Sequence, residues 1–167
     1  MDRRSRGMTS TRAADPPRDG LRGAVIAVAT EDDRYARVRE RAADLARTEG
    51  RPVVLYDWDA PSPIASPVPT WWSGDGPGEQ PAGPLDEHDL EMAGRAPIAR
   101  QVRQLRARGI AVGGWLPTNH GGAALQSFAM SRGAAAIVVP ADLDDAGVLL
   151  SPTIGMRIIT VPAGDRR

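Results

Sequence analysis

Ala24-Val25-Ile26-Ala27-Val28-Ala29, followed by Thr30-Glu31-Asp32-Asp33, is the stretch that decides how this chain folds. An apolar run of this length is strand-sized, and a strand apolar at every position is covered on both faces. The polar group after it predicts a helix start, with Thr30 as N-cap and the acids in the first turn. Tyr35, Val38, Ala42 and Leu45 then recur on one stripe of a 3.6-residue period. Asp33–Arg37 and Asp44–Arg47 are placed to pair on the outer surface. Gly50 is the expected C-cap, and Val53-Val54-Leu55-Tyr56 reads as a second buried strand. Strand, helix and strand in this order form a βαβ unit with parallel strands and a right-handed connection.

Outward from that unit the pattern first dissolves and then returns. Residues 57–84 alternate Pro and Gly too densely for helix or ladder, so they read as a long insert. Trp71 and Trp72 lie inside it, either as an apolar clip onto the body or as an exposed patch for a protein partner. Asp86 to Met92 reads as a short acidic helix ended by Gly94. A second helix follows with Pro97 in its first turn and Ile98, Val102 and Leu105 inward. Ile110–Leu116 is a third strand, whose Gly113 and Gly114 imply close approach by neighbouring backbone. A helix over Ala123–Arg132, a strand over Ala134–Pro140 and a last strand over Arg157–Pro162 complete the series. The fold class expected is therefore α/β: a small, doubly wound, five-stranded parallel sheet with helices on both faces. The domain boundaries expected are a disordered Arg-rich tail over 1–22 and a single domain over 23–167, with Met8 as a second candidate start.

Composition narrows the chemistry. The chain has 167 residues, and all 21 of its Lys-plus-Arg positions are Arg. No lysine means no phosphate-loop, Schiff-base or kinase lysine. No cysteine means no thiol nucleophile, disulfide or thiolate metal site, and two His are too few for a His-rich centre. Formal charge is zero, but it is segregated: the tail is net +3, residues 52–94 hold eight acids and no Arg, and residues 95–108 hold five Arg and no acid. Opposed blocks of this kind are expected to satisfy each other within the fold rather than recruit nucleic acid or membrane. No apolar segment of signal-peptide length occurs in residues 1–22, nowhere does an apolar run approach the length of a membrane helix, and a cytoplasmic location is expected.

The strand phrases Ala24–Ala29 and Val53–Tyr56 resemble the universal stress protein family. So does the stretch Thr118-Asn119-His120-Gly121-Gly122-Ala123-Ala124-Leu125 running to Gly133-Ala134-Ala135-Ala136-Ile137-Val138-Val139-Pro140. The resemblance covers about 23–163 and implies a Rossmann-like fold, a stress-response role and a homodimer paired through the last strand, here Ile158, Ile159 and Val161. It also implies where a nucleotide site is missing. ATP-binding members carry an Asp after the first strand's core, where this sequence has Ala29. They also carry a Gly-x2-Gly-x9-Gly-[Ser/Thr] loop after the fourth strand. Here that region, Pro140–Gly155, holds only Gly147 and Gly155, with Asp142, Asp144 and Asp145 unsuited to phosphate.

Glu31-Asp32-Asp33 invites a phospho-receiver reading, which fails for want of its lysine. His88 among Asp86, Glu87, Asp89 and Glu91 reads as a solvated acidic helix, and Asp142-Leu143-Asp144-Asp145 lacks the rest of a calcium loop. A surviving small-molecule site is expected on Thr118, Asn119, His120 and Gly121, at a strand's C-terminal end and a helix N-terminus. The alternative there is a plain N-cap, Thr118 or Asn119, with His120 exposed. No catalytic residue, metal or cofactor is expected. The function expected is a universal-stress-like protein acting through protein contacts, without nucleotide. The alternative is a nucleotide- or anion-binding protein with an unconventional site at the strand ends.

Overall fold

The computed structural model describes residues 21–61, 83–143 and 155–162. Most of the tail, Trp71 and Trp72, and the segment 144–154 lie outside the described residues. The elements run β1 (Val25–Ala29), α1 (Ala36–Glu49), β2 (Val53–Asp57), α2 (Glu87–Met92), α3 (Ala96–Ala107), β3 (Val112–Trp115), α4 (Gly122–Ser131), β4 (Ala136–Pro140) and β5 (Arg157–Val161). All strand pairs are parallel, in the order β3-β2-β1-β4-β5, so the winding direction reverses between β1 and β4. This is the doubly wound α/β sheet that the sequence predicts.

Every residue of β1, β2, β3 and β4 is buried, which is why their runs carry no polar alternation. Paired residues of a parallel ladder share a face, so the register sorts the side chains into two sets. Val53, Leu55 and Asp57 of β2 share a face with Val25, Ala27 and Ala29 of β1. Val54 and Tyr56 share the other with Ile26, Val28 and Trp115. The first face packs against α1, whose stripe of Tyr35, Val38, Ala42 and Leu45 is buried as expected, and against α2 and α3. The second meets α4 through Phe128. Leu21 and Ala24 are buried as well, so the packed body begins ahead of Gly23.

Helix α1 starts later than the sequence suggests. Thr30 is fully buried at the end of β1 and caps nothing; residues 31–35 form a turn in which Asp33 adopts a φ of 56°, and the helix opens behind Tyr35 without a side-chain cap. Asp33 consequently pairs with Arg39 instead of Arg37, while Arg47 stands 3.5 Å from Asp44. The C-terminus matches expectation: Gly50, at φ 64°, donates its N–H to the Ala46 carbonyl. Asp86 and Asp89 close a capping box on α2.

The edge of the sheet at β3 is occupied. The Leu85 N–H donates to the Gly114 carbonyl at 2.8 Å, and the Gly114 N–H donates back at 2.9 Å. A Cβ on Gly113 would stand 2.5 Å from Pro84 Cβ, and one on Gly114 would stand 2.8 Å from Leu90 Cδ1. Both glycines are therefore close-approach positions, on opposite faces of one strand. No helix among the described residues is long and apolar enough to cross a membrane.

Candidate functional site

In an open α/β sheet the C-terminal strand ends are where ligands approach. Here those ends present two different surfaces, one on each face of the sheet.

On the α1/α3 face, Asp57 closes β2 with a fully buried carboxylate. Arg95, the residue preceding α3, reaches it in a two-point pair, Nε to Oδ2 at 2.6 Å and Nη2 to Oδ1 at 3.1 Å. The third guanidinium nitrogen, Nη1, donates to Glu31 Oε2 at 3.2 Å, and the Asp59 N–H donates to Asp57 Oδ1 at 3.1 Å. Burial pushes the Asp57 carboxyl above the usual carboxylate range, against the opposing pull of Arg95. Beside this pair, Gln101 Nε2 donates to the Thr30 carbonyl at 2.8 Å, tying α3 to the end of β1. Two-point arginine pairing with every acceptor matched is a structural clamp.

Around the clamp lies an acidic rim: Glu31, Asp32 and Asp59 are exposed beyond β1 and β2, and Asp142 is exposed beyond β4. Among the described residues, the arginines beside it are paired. Arg34 stands 3.6 Å from Asp59, Arg39 holds Asp33, and Arg95 holds Asp57 and Glu31. Farther along, Arg103 links the opposed charge blocks, bonding Glu87 at 2.8 Å and Glu91 at 2.7 Å, whereas Arg108 bonds Glu40 of α1, outside the acidic block, at 2.8 Å.

On the α4 face the ends of β2 and β3 open into a pocket of about 210 Å³. Its apolar lining is three aromatic side chains with Pro117 and Ala124. Tyr56 and Phe128 lie with ring centres 5.5 Å apart at 50°, and Trp115 and Phe128 lie 4.7 Å apart at 31°. Neutral polar side chains also line it: Thr118 and Asn119 from the turn after β3, and Ser127 and Ser131 from α4. Arg132 stacks over Trp115 with its guanidinium carbon 4.9 Å from the ring centre. Tyr56 is 1% exposed, and burial pushes its phenol up to about 12, so it stays protonated at neutral pH.

Of the four residues expected to form a site, Thr118 and Asn119 line this pocket, whereas His120 and Gly121 do not. His120 is exposed, and Gly121, at φ 97°, is itself the residue ahead of α4. Neither Thr118 nor Asn119 is therefore the N-cap, and α4 has no side-chain cap. The residues that sequence reasoning did not single out are Asp57, Arg95, Tyr56 and Ser127. Among the described residues no group of three or more His, Asp or Glu is placed to hold a metal ion.

No protein-family model matches the chain, and no curated protein is similar to it in sequence. Among solved structures, it is similar to the universal stress protein from Archaeoglobus fulgidus, with a TM-score of 0.47 and 19% identity, over 82% of this chain and 90% of that one. The same archaeal protein in complex with dAMP gives 0.48 and 19%, over 83% and 96%. A universal stress protein in complex with cAMP gives 0.48 and 19%, over 84% and 97%. Those nucleotides are those proteins' ligands.

Proposed function

We propose that the chain is a non-enzymatic, cytoplasmic, universal-stress-like protein that works through protein contacts as a homodimer and does not bind nucleotide phosphate at its strand ends. The observation that carries the phosphate part of this reading is the acidic rim. Exposed carboxylates follow β1, β2 and β4, and the arginines nearest to them already hold carboxylates. An incoming phosphate would meet like charge, and among the described residues the nearest arginines are already paired. Fold alone does not assign function, so the reading stands on this rim and on the resemblance of the strand phrases. Titration calorimetry with millimolar ATP should give no binding heat; a saturable heat from folded protein overturns the phosphate part.

The dimer part rests on β5, the other edge of the sheet. Ile158, Ile159 and Val161 are each half-buried there. The Arg157 N–H donates to Ala135, and the Val161 carbonyl accepts from Ala141. Alternate residues Arg157, Ile159 and Val161 thus turn their backbones toward β4, while those of Ile158 and Thr160 face outward. Such an edge is a template for a second strand. Thr160→Pro removes an outward N–H without touching the ladder to β4, and should convert a sedimenting dimer to a monomer. A wild-type protein that sediments as a monomer ends the dimer reading.

A second reading, a nucleotide- or anion-binding protein, is favoured by one observation: Thr118 and Asn119 line an open pocket at the strand ends. It predicts ATP heat that is lost in Asn119→Ala, the opposite outcome in the same calorimeter.

A further inference from the structure

The geometry points to the pocket between β2, β3 and α4 as a binding site for a small, uncharged aromatic molecule that carries a hydrogen-bond acceptor. Three observations converge on this ligand class. The first is shape: Tyr56, Trp115 and Phe128 all line one cavity of about 210 Å³. By volume alone a single substituted ring fits, since a cavity of about 150 Å³ already takes up benzene. Aromatic walls favour a ring over an aliphatic chain, because offset and tilted ring contacts add to burial.

The second is charge. Thr118, Asn119, Ser127 and Ser131 supply the polar part of the lining, and neither a carboxylate nor a guanidinium lines it. Neutral amides and hydroxyls orient a neutral ligand, and the nearby Arg132 guanidinium lies over the Trp115 and Phe128 rings, 4.9 Å and 6.0 Å from their centres, and is not part of the lining.

The third is an unmet donor. Tyr56 is 1% exposed as a whole residue, but its hydroxyl is not one of the sealed, unpartnered side-chain atoms, and no hydrogen bond holds it among the described residues. A hydroxyl left open on a cavity wall is placed to donate to whatever fills the cavity. The ligand must then bring an acceptor such as a carbonyl or ring oxygen. This inference is independent of the dimer and of the phosphate reading, since neither β5 nor the acidic rim takes part.

The test is an NMR titration of the full chain with acetophenone, an uncharged ring with a carbonyl acceptor, and with toluene, which lacks the acceptor. Saturable binding of acetophenone is expected, tighter than toluene. Tyr56→Phe should weaken acetophenone about fivefold and leave toluene unchanged, because only one hydrogen bond is lost. Ser127→Trp, which fills the cavity from α4, should abolish both. Where that variant does not fold, Asn119→Phe from the turn after β3 serves the same purpose. The inference is overturned by absent binding to the wild-type chain, by acetophenone affinity that Tyr56→Phe leaves untouched, or by binding that survives a filled cavity. ATP heat that persists in Asn119→Ala would count against the phosphate reading alone, whereas ATP heat lost in that variant would put an anion in this pocket and overturn the inference as well.

Discussion

Tyr56 and Asp57 are neighbours on β2, and they face opposite sides of the same sheet under opposite rules. Asp57 looks toward α1 and α3, where its carboxylate meets two guanidinium nitrogens and a backbone N–H. Tyr56 looks toward α4, where its ring touches other rings and its hydroxyl meets nothing described. Both residues are buried as a whole, at 0% and 1% exposure. The difference lies in what covers them. Three helices close the first face, and Arg95 arrives with α3 to neutralise the Asp57 carboxylate left inside. Among the described residues a single helix of ten residues meets the second, and a pocket opens there at the strand ends. One face is closed for stability, and the other keeps a cavity with a spare donor.

The sharpest way to break that contrast is to remove Arg95. Arg95→Met leaves a buried carboxylate without its partner, which should cost about 3–5 kcal/mol in urea denaturation. The double variant with Asp57→Leu should recover most of it, since a well-packed apolar pair can replace an ionic one. The pH dependence has a definite sign. Burial already raises Asp57, and the arginine opposes that rise. Without Arg95 the folded-state value moves farther above the unfolded one, so the folded variant holds its proton more tightly. Its deficit should therefore be largest near neutral pH and shrink as the pH falls toward the unfolded carboxylate value of about 3.9. A deficit that is flat with pH would mean that Asp57 is not the group left behind.

Much of the closed face is legible in the sequence, because it is built from local signals. The unbroken apolar runs of β1 and β2, the stripe Tyr35-Val38-Ala42-Leu45, the Gly50 cap and the close-packed Gly113-Gly114 each rest on neighbouring residues. Tertiary contact overrides such signals at Thr30, which looks like a cap but is buried, with its carbonyl taken by Gln101 from the middle of α3. The clamp itself is not legible: Asp57 and Arg95 are separated by 38 positions and sit in segments that read as a Pro-rich insert and a basic block. Charge segregation hinted only that the blocks would meet. On the open face, Thr118 and Asn119 were marked by their place after a strand, while Tyr56 reads as one more core residue. Its donor is left over only because of what α4 does and does not cover.

A smaller effect is expected at the strand that both faces share. Gly113→Ala places a methyl 2.5 Å from Pro84 Cβ and 2.9 Å from the Leu85 carbonyl oxygen, so backbone has to move. Overpacking of this kind costs about 1–3 kcal/mol. Gly114→Ala meets only the end of the Leu90 side chain at 2.8 Å, and it should fall at the low end of the same range. Hydrogen exchange at the Leu85 and Gly114 amides separates the two, because only the first substitution pushes on the bridging segment itself. Equal loss of protection in both variants would remove the distinction between the two sides of β3.

The smallest expected effect is the most informative about the open face. Tyr56→Phe deletes a hydroxyl that has no partner, from a ring that keeps its contacts with Trp58 and Phe128. Removing a bonded buried hydroxyl costs about 1 kcal/mol or more, because its former partner is stranded. Removing an unbonded one strands nothing, so urea denaturation should show a change within about 0.5 kcal/mol, toward higher stability if any. Set beside Arg95→Met, one residue's difference along β2 then separates a loss of several kcal/mol from none. A loss above about 1 kcal/mol in Tyr56→Phe would mean that the hydroxyl is already satisfied. The pocket would then lack the donor that distinguishes it from an ordinary packing gap.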